Sequence, residues 1–296
     1  MQHLITTKDF TNKEILDVFE DAKLFQDLAS NNLLQGKLIV TLFFENSTRT
    51  RSSFEIAAKR LGAEVVNLEV NTSSTKKGET VEDTVANLNA MKPDAIIIRH
   101  SDCGLPASLT KTVSCPILNA GDGKNAHPTQ ALLDLFTIME HFDFNVKNKK
   151  IAIVGDIANS RVASSNLELL PRFGLKPILV SPKEFKVKSQ FKTTTNLKKS
   201  IKNIDIIMSL RVQHERHDIK LLPEELEKRK QKYAKNYCIT KQLLKAKDVL
   251  LLHPGPVNRN IDISDEMLDD SRCKVLKQVQ NGVAIRMAVL KKLILQ

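Results

Sequence analysis

The sequence predicts an α/β fold made of two doubly wound domains, each a mostly parallel sheet flanked by helices. Three observations predict it. Apolar runs of strand length alternate with stretches of helical periodicity along the whole chain, which argues for parallel sheets covered by helices on both faces. The length of 296 residues is about two domains' worth. A break near His127-Pro128 leaves one β/α set before it and another after it. We therefore expect a first domain over 1–127 and a second over 128–281, with a final helix, 282–296, apolar enough to pack back on the first. There is no repeat of 20–50 residues and no low-complexity linker.

Taken in order, the strand candidates are 38–44, 64–68, 95–98, 116–118, 150–154, 177–180, 204–208 and 249–252. Each is a short apolar run such as Leu38-Ile39-Val40 or Ile151-Ala152-Ile153. The helix candidates are 11–30, 50–61, 80–91, 104–111, 129–141, 161–172, 215–230 and 282–294, where the apolar residues recur at helical spacing.

Composition narrows the classes. The chain is 42% hydrophobic and 27% charged, ordinary for a soluble globular protein. Its net charge is +11 and its pI is near 9.4, which admits nucleic acid, membrane surface or small anions as partners. With no Trp and two Tyr, little is available for stacking on bases. The dense lysines of 186–202 and 228–235 read as solvated helix faces. Cys103, Cys115, Cys238 and Cys273 form no C-x-x-C pair and no zinc pattern, which fits reduced thiols in a cytoplasmic protein. The first residues carry Lys8, Asp9, Lys13 and Glu14 ahead of any long apolar run, unlike a signal peptide. No segment reaches the ~20 apolar residues of a membrane span.

Sheets of this kind bind ligands beyond the carboxyl ends of their strands, and the chemistry-bearing residues of this chain gather there. Ser47-Thr48-Arg49-Thr50-Arg51 lies between strand 38–44 and a helix. Free N–H groups at that helix start, its positive dipole end, three hydroxyls and two guanidiniums all favour a phosphate dianion. Arg99 ends strand 95–98, Arg161 follows strand 150–154, Arg211 follows strand 204–208, and His253-Pro254-Gly255-Pro256 follow strand 249–252. His127 opens a helix with Pro128 at the first position. A neutral imidazole there can donate to a carbonyl that gains negative charge. Two arginines, Arg161 and Arg211, match the two carboxylates of a dicarboxylate. The prolines of the HPGP stretch leave carbonyls without local N–H competition, fit to orient an amine. Val154-Gly155-Asp156 does not continue into a dinucleotide loop, and no G-K-[ST] phosphate loop is present, so neither a nicotinamide nor an ATP enzyme is indicated.

Several motifs in fixed order carry a resemblance. They are Phe44 to Arg51, Lys76-Lys77-Gly78-Glu79-Thr80, Ile98-Arg99-His100, Asn119-Ala120-Gly121-Asp122-Gly123, His127-Pro128-Thr129-Gln130, Arg211-Val212-Gln213 and His253-Pro254-Gly255-Pro256. In these the chain resembles, from end to end, the aspartate carbamoyltransferase catalytic chains of the aspartate/ornithine carbamoyltransferase superfamily. The resemblance implies carbamoyl phosphate held by Ser47, Thr48, Arg49, Thr50, Ser73, Lys77, Arg99, His127, Gln130, Pro254 and Gly255. Within that set Arg99 reaches phosphate and carbonyl, His127 the carbonyl and Gln130 the amide. It implies L-aspartate held by Lys77, Arg161, Arg211 and Gln213, with Arg161 on the α-carboxylate and Arg211 on the side-chain carboxylate. Arg49, Thr50, Lys77, Arg99 and His127 are the implied catalytic residues. The loop of Ser73 and Lys77, with Ser74 the less favoured serine, is implied to complete a neighbour's site in a homotrimer. No cofactor and no metal are implied, and a regulatory chain is left open.

Two other readings stand beside this one. An ornithine or other amino-acid carbamoyltransferase shares the phosphate half, but its substrate's cationic side chain calls for a carboxylate, and no H-C-L-P motif is present. A basic nucleic-acid-binding protein fits the charge, but no RNA-binding motif is visible.

Overall fold

The structure, a computed structural model, describes residues 1–28, 30–69, 79–212 and 222–295. The chain forms two compact units, Met1–Leu133 with Val279–Gln296 and Asp134–Gln278. The divisions fall inside two helices, Pro128–His141 and Val275–Ile294, rather than in loops.

In the first unit, β1 (Leu38–Phe43), β2 (Glu64–Glu69), β3 (Ala95–His100) and β4 (Ile117–Asp122) form a parallel sheet in the order β2-β1-β3-β4. The helices are α1 (Asn12–Gln26), α2 (Thr48–Arg60), α3 (Val81–Ala90), the short α4 (Leu105–Ser108) and α5 (Pro128–His141). Strand β1 is apolar apart from Thr41, and after Leu38 every residue is buried, as a parallel strand between helix layers requires. The last helix contributes to this unit through Arg286 Nη1, which donates to Ser53 Oγ at 3.0 Å, and Lys291 Nζ, 2.6 Å from Asp21 Oδ1.

In the second unit, β5 (Lys150–Val154), β6 (Lys176–Val180), β7 (Lys192–Thr194), β8 (Ile206–Ser209) and β9 (Leu250–Leu252) form a parallel sheet in the order β7-β6-β5-β8-β9. Its helices are α6 (Arg161–Leu169), α7 (Leu197–Ser200), α8 (Pro223–Tyr237), α9 (Lys241–Leu244) and α10 (Asp265–Leu268), and α11 (Val275–Ile294) closes the chain. In both sheets the first strand in sequence is flanked on both sides, by β2 and β3 around β1 and by β6 and β8 around β5. That is where strand order reverses and a crevice opens at the carboxyl ends.

Three expectations need correction. Among the described residues the helix expected over 215–230 begins at Pro223 and continues to Tyr237; proline suits a first helical position, and Tyr233 and Tyr237 carry the buried face past residue 230. The final helix starts at Val275, not 282. Strand β7 was not expected, because Lys192-Thr193-Thr194 is not an apolar run.

Candidate active site

The first unit brings three neighbouring strand ends together. After β1 the chain enters α2 with Ser47 as its N-cap residue, yet the Ser47 side chain makes no capping hydrogen bond. Thr11, Thr80 and Ser160, by contrast, each accept from the first turn of their own helices. The Ser47 carbonyl takes the Arg51 N–H at 3.0 Å. A helix start without a hydroxyl cap, with Thr48, Arg49 and Thr50 in its first turn, offers N–H groups and dipole to an anion.

Arg99 lies beside Phe43 of β1 in the strand register. Its Nε is 3.2 Å from Glu45 Oε2, and its Nη1 donates to the Ala120 carbonyl at 3.3 Å. With its side chain 13% exposed, the guanidinium is oriented by groups from β4 and from the β1–α2 loop. His100 serves the loop structure: its Nδ1 accepts the Asp102 N–H at 2.9 Å and its ring packs edge-on against Phe44.

Strand β4 ends at Asp122, whose fully buried carboxylate gathers four donors. Oδ1 accepts from Asn119 Nδ2 and the Ala126 N–H, both at 2.9 Å, and Oδ2 from the Gly104 N–H and Asn125 Nδ2, both at 2.8 Å. The next residue must be glycine: at φ +46, a Cβ on Gly123 would stand 2.6 Å from the Ser101 carbonyl. The loop so pinned delivers His127, 4% exposed, to the start of α5, where its carbonyl receives the Gln130 and Ala131 N–H groups at 3.1 and 3.2 Å. Arg49, Thr50, Arg99, His127 and Gln130 thus all belong to the carboxyl edge of one sheet.

The second unit repeats the arrangement at β5, β8 and β9, which are adjacent. After β5, Gly155 has φ +128, and a Cβ there would lie 2.7 Å from the Leu210 carbonyl. Ser160 then caps α6, accepting the Ala163 N–H at 3.2 Å, and Arg161, 4% exposed, is the first helical residue. After β8 the Leu210 N–H donates to the Val154 carbonyl at 2.8 Å, which places the half-buried Arg211 next to the β5 end. After β9 come His253, buried, then Pro254 and Gly255, half-buried. Pro254 and Gly255 therefore sit in the second unit with Arg161 and Arg211, although the resemblance groups them with carbamoyl phosphate.

Ser73, Ser74, Lys76, Lys77 and Gly78, and Gln213 with Glu215 and Arg216, lie outside the described residues. Among the described residues no group of three or more His, Cys, Asp or Glu side chains is placed to hold a metal. All four cysteines are free, and burial pushes the Cys115 and Cys238 thiols up to about 11, which makes both poor nucleophiles at neutral pH.

Sequence reasoning assigned no role to Glu45, Asp122 or Asp262. Glu45 and Asp122 stand inside motifs that were singled out, and an acid beside arginines expected to bind an anion is a signal that could have marked Glu45. Asp262 has no local signal.

Comparison with known proteins finds two family models that match successive parts of the chain. Residues 2–140 match the model of the aspartate/ornithine carbamoyltransferase carbamoyl-P binding domain, and residues 147–293 match that of the Asp/Orn binding domain. The aspartate carbamoyltransferase catalytic subunit of Aliarcobacter butzleri is 66% identical, with 100% of this chain and 99% of that protein covered. Among solved structures, the catalytic subunit of M. jannaschii aspartate transcarbamoylase is similar at TM-score 0.88 and 36% identity, covering 99% of this chain and 98% of that one. Trypanosoma cruzi aspartate transcarbamoylase in complex with N-(phosphonacetyl)-L-aspartic acid is similar at TM-score 0.89 and 30% identity, covering 99% and 95%. The chain belongs to the aspartate/ornithine carbamoyltransferase family, on the branch of the aspartate carbamoyltransferase catalytic subunits.

Proposed function

We propose that this chain transfers the carbamoyl group of carbamoyl phosphate to the α-amine of L-aspartate, giving N-carbamoyl-L-aspartate and phosphate, in cytoplasmic pyrimidine biosynthesis. The observation that carries the reading is the pairing of arginines at two sheet edges. Arg49 and Arg99 stand beside an anion-ready helix start, while Arg161 and Arg211 stand at adjacent strand ends of the second sheet.

The division of labour follows from charge. Carbamoyl phosphate binds first, its phosphate on the α2 start with Ser47, Thr48, Arg49 and Thr50. Arg99 spans phosphate and carbonyl, and Gln130 takes the amide. Aspartate follows, with Arg161 on its α-carboxylate, Arg211 and Gln213 on its side-chain carboxylate, and the Pro254 and Gly255 carbonyls toward its amine. The uncharged amine attacks the carbamoyl carbon. A C–N bond forms, the C–O bond to phosphate breaks, phosphate leaves with the electron pair, and the proton lost from the amine passes to the departing phosphate. Arg99, Thr50 and His127 stabilise the oxygen that gains charge on the way. Positioning and electrostatics provide the acceleration. Ser73 and Lys77 come from the adjacent chain of a homotrimer.

Binding of N-(phosphonacetyl)-L-aspartate, which joins a phosphonate to aspartate in one molecule, tests both halves. Calorimetry should show tight binding, weakened by Arg49→Ala and by Arg211→Ala alike. Binding unaffected by either substitution would refute the assignment.

A further inference from the structure

The turn after β9 is held by an unusual set of bonds, all within the second unit. His253 N–H donates to Gln278 Oε1 at 2.9 Å, Gly255 N–H to His253 Nδ1 at 2.8 Å, and Asn258 N–H to Asp262 Oδ2 at 2.9 Å. Pro254 and Pro256 have no N–H to place. From His253 to Pro256, then, every backbone donor is taken by a side chain. Among the described residues no hydrogen bond uses the carbonyl oxygens of His253, Pro254, Gly255 or Pro256. The turn spends its donors on its own frame and keeps its acceptors for something else.

The ring of His253 is the centre of that frame. Because Nδ1 accepts the Gly255 N–H, the proton of the neutral ring is on Nε2. Nε2 is 3.2 Å from Asp262 Oδ2, and both side chains are 0% exposed. Asp262 thus fixes the tautomer and the tilt of the ring, and the ring fixes Gly255. Both donors reach the same oxygen of Asp262. Among the described residues its Oδ1 has no hydrogen-bond partner, and neither has the buried Tyr233 Oη. A carboxylate buried with one oxygen unmatched is costly for stability alone.

We propose that Asp262, acting through His253, is a positioning residue that aims the carbonyls of the 253–256 turn at the attacking amine. This rests on the function proposed above. What the turn needs from residue 262 is one well-placed acceptor oxygen, so asparagine should serve in its place and alanine should not.

The test uses the full-length enzyme, with kcat and KM measured for aspartate and carbamoyl phosphate affinity measured by calorimetry. Asp262→Ala should lower kcat/KM for aspartate on the order of 10²-fold, the scale of about a 1 Å misplacement, and leave carbamoyl phosphate affinity within about twofold. Asp262→Asn should recover most of the loss. If Asp262→Ala does not fold, His253→Gln decides: it keeps a donor toward Asp262 but removes the acceptor for the Gly255 N–H, and should show the same aspartate-specific loss. Unchanged aspartate kinetics in a folded Asp262→Ala or His253→Gln would overturn the proposal while wild-type turnover of aspartate left the function standing. So would an Asp262→Asn variant as impaired as Asp262→Ala, or an equal loss of carbamoyl phosphate affinity. Wild-type enzyme that ignored aspartate would overturn both.

Discussion

Replacing Asp122 by asparagine should unfold much of the first half-site without changing its volume. The carboxylate is fully buried and accepts two donors on each oxygen. An amide has one oxygen and one NH2 group. Whichever way it turns, two of the four donors face another donor. The pairs are Asn119 with the Ala126 N–H, or the Gly104 N–H with Asn125, so a backbone N–H is stranded in either case. A hydrogen bond to a charged acceptor contributes about 1.5–3 kcal/mol, so losing two costs about 3–6 kcal/mol. Set against a typical total of about 5–15 kcal/mol, that is a large fraction. Urea unfolding followed by circular dichroism measures it. The loop from Asp122 to His127 should loosen as well, so carbamoyl phosphate binding should weaken in the protein that remains folded. An unfolding free energy within about 1 kcal/mol of wild type would refute the reasoning, because it would mean the two lost bonds carry little net stabilisation.

Arg49→Ala and Arg211→Ala should fail differently in steady-state kinetics: the first weakens carbamoyl phosphate and slows the chemistry, and the second mainly impairs aspartate use. Unchanged aspartate kinetics in Arg211→Ala would remove the main support for the substrate. His127→Ala should lower kcat on the order of 10²-fold, as for loss of one oxyanion donor, with only moderately weaker carbamoyl phosphate binding. An unchanged kcat in a folded variant contradicts that role. Arg49→Ala and Lys77→Ala, each nearly inactive alone, should regain roughly a quarter of native sites when unfolded together, mixed equally and refolded as trimers. Verified hybrid trimers without activity would reject a site shared between subunits.

Much of this architecture is legible in the sequence because its signals are local. A parallel strand covered on both faces must be a short apolar run, and β1, β3 and β5 are such runs. The arginines are legible as site candidates because each ends a strand or lies in the loop or helix start that follows one. What escaped depends on tertiary partners. The start of α11 is hidden because Gln278 and Asn281 interrupt the apolar pattern, yet both are buried and satisfied, Gln278 by His253 and Asp134 and Asn281 by Gln26. Strand β7 is three residues at a sheet edge, too short and polar to announce itself. Asp262 is hidden for the same reason as α11. Nothing near Asp262 in sequence says that its oxygen meets a histidine nine residues earlier and a backbone N–H four residues earlier.

The most direct measurement offers the enzyme carbamoyl phosphate with equimolar L-aspartate and L-ornithine and identifies the products by mass spectrometry. Two arginines at the strand ends of the second sheet, Arg161 and Arg211, call for a substrate with two carboxylates. The expected result is N-carbamoyl-L-aspartate and phosphate as the dominant products. Faster carbamoylation of ornithine than of aspartate would contradict the account.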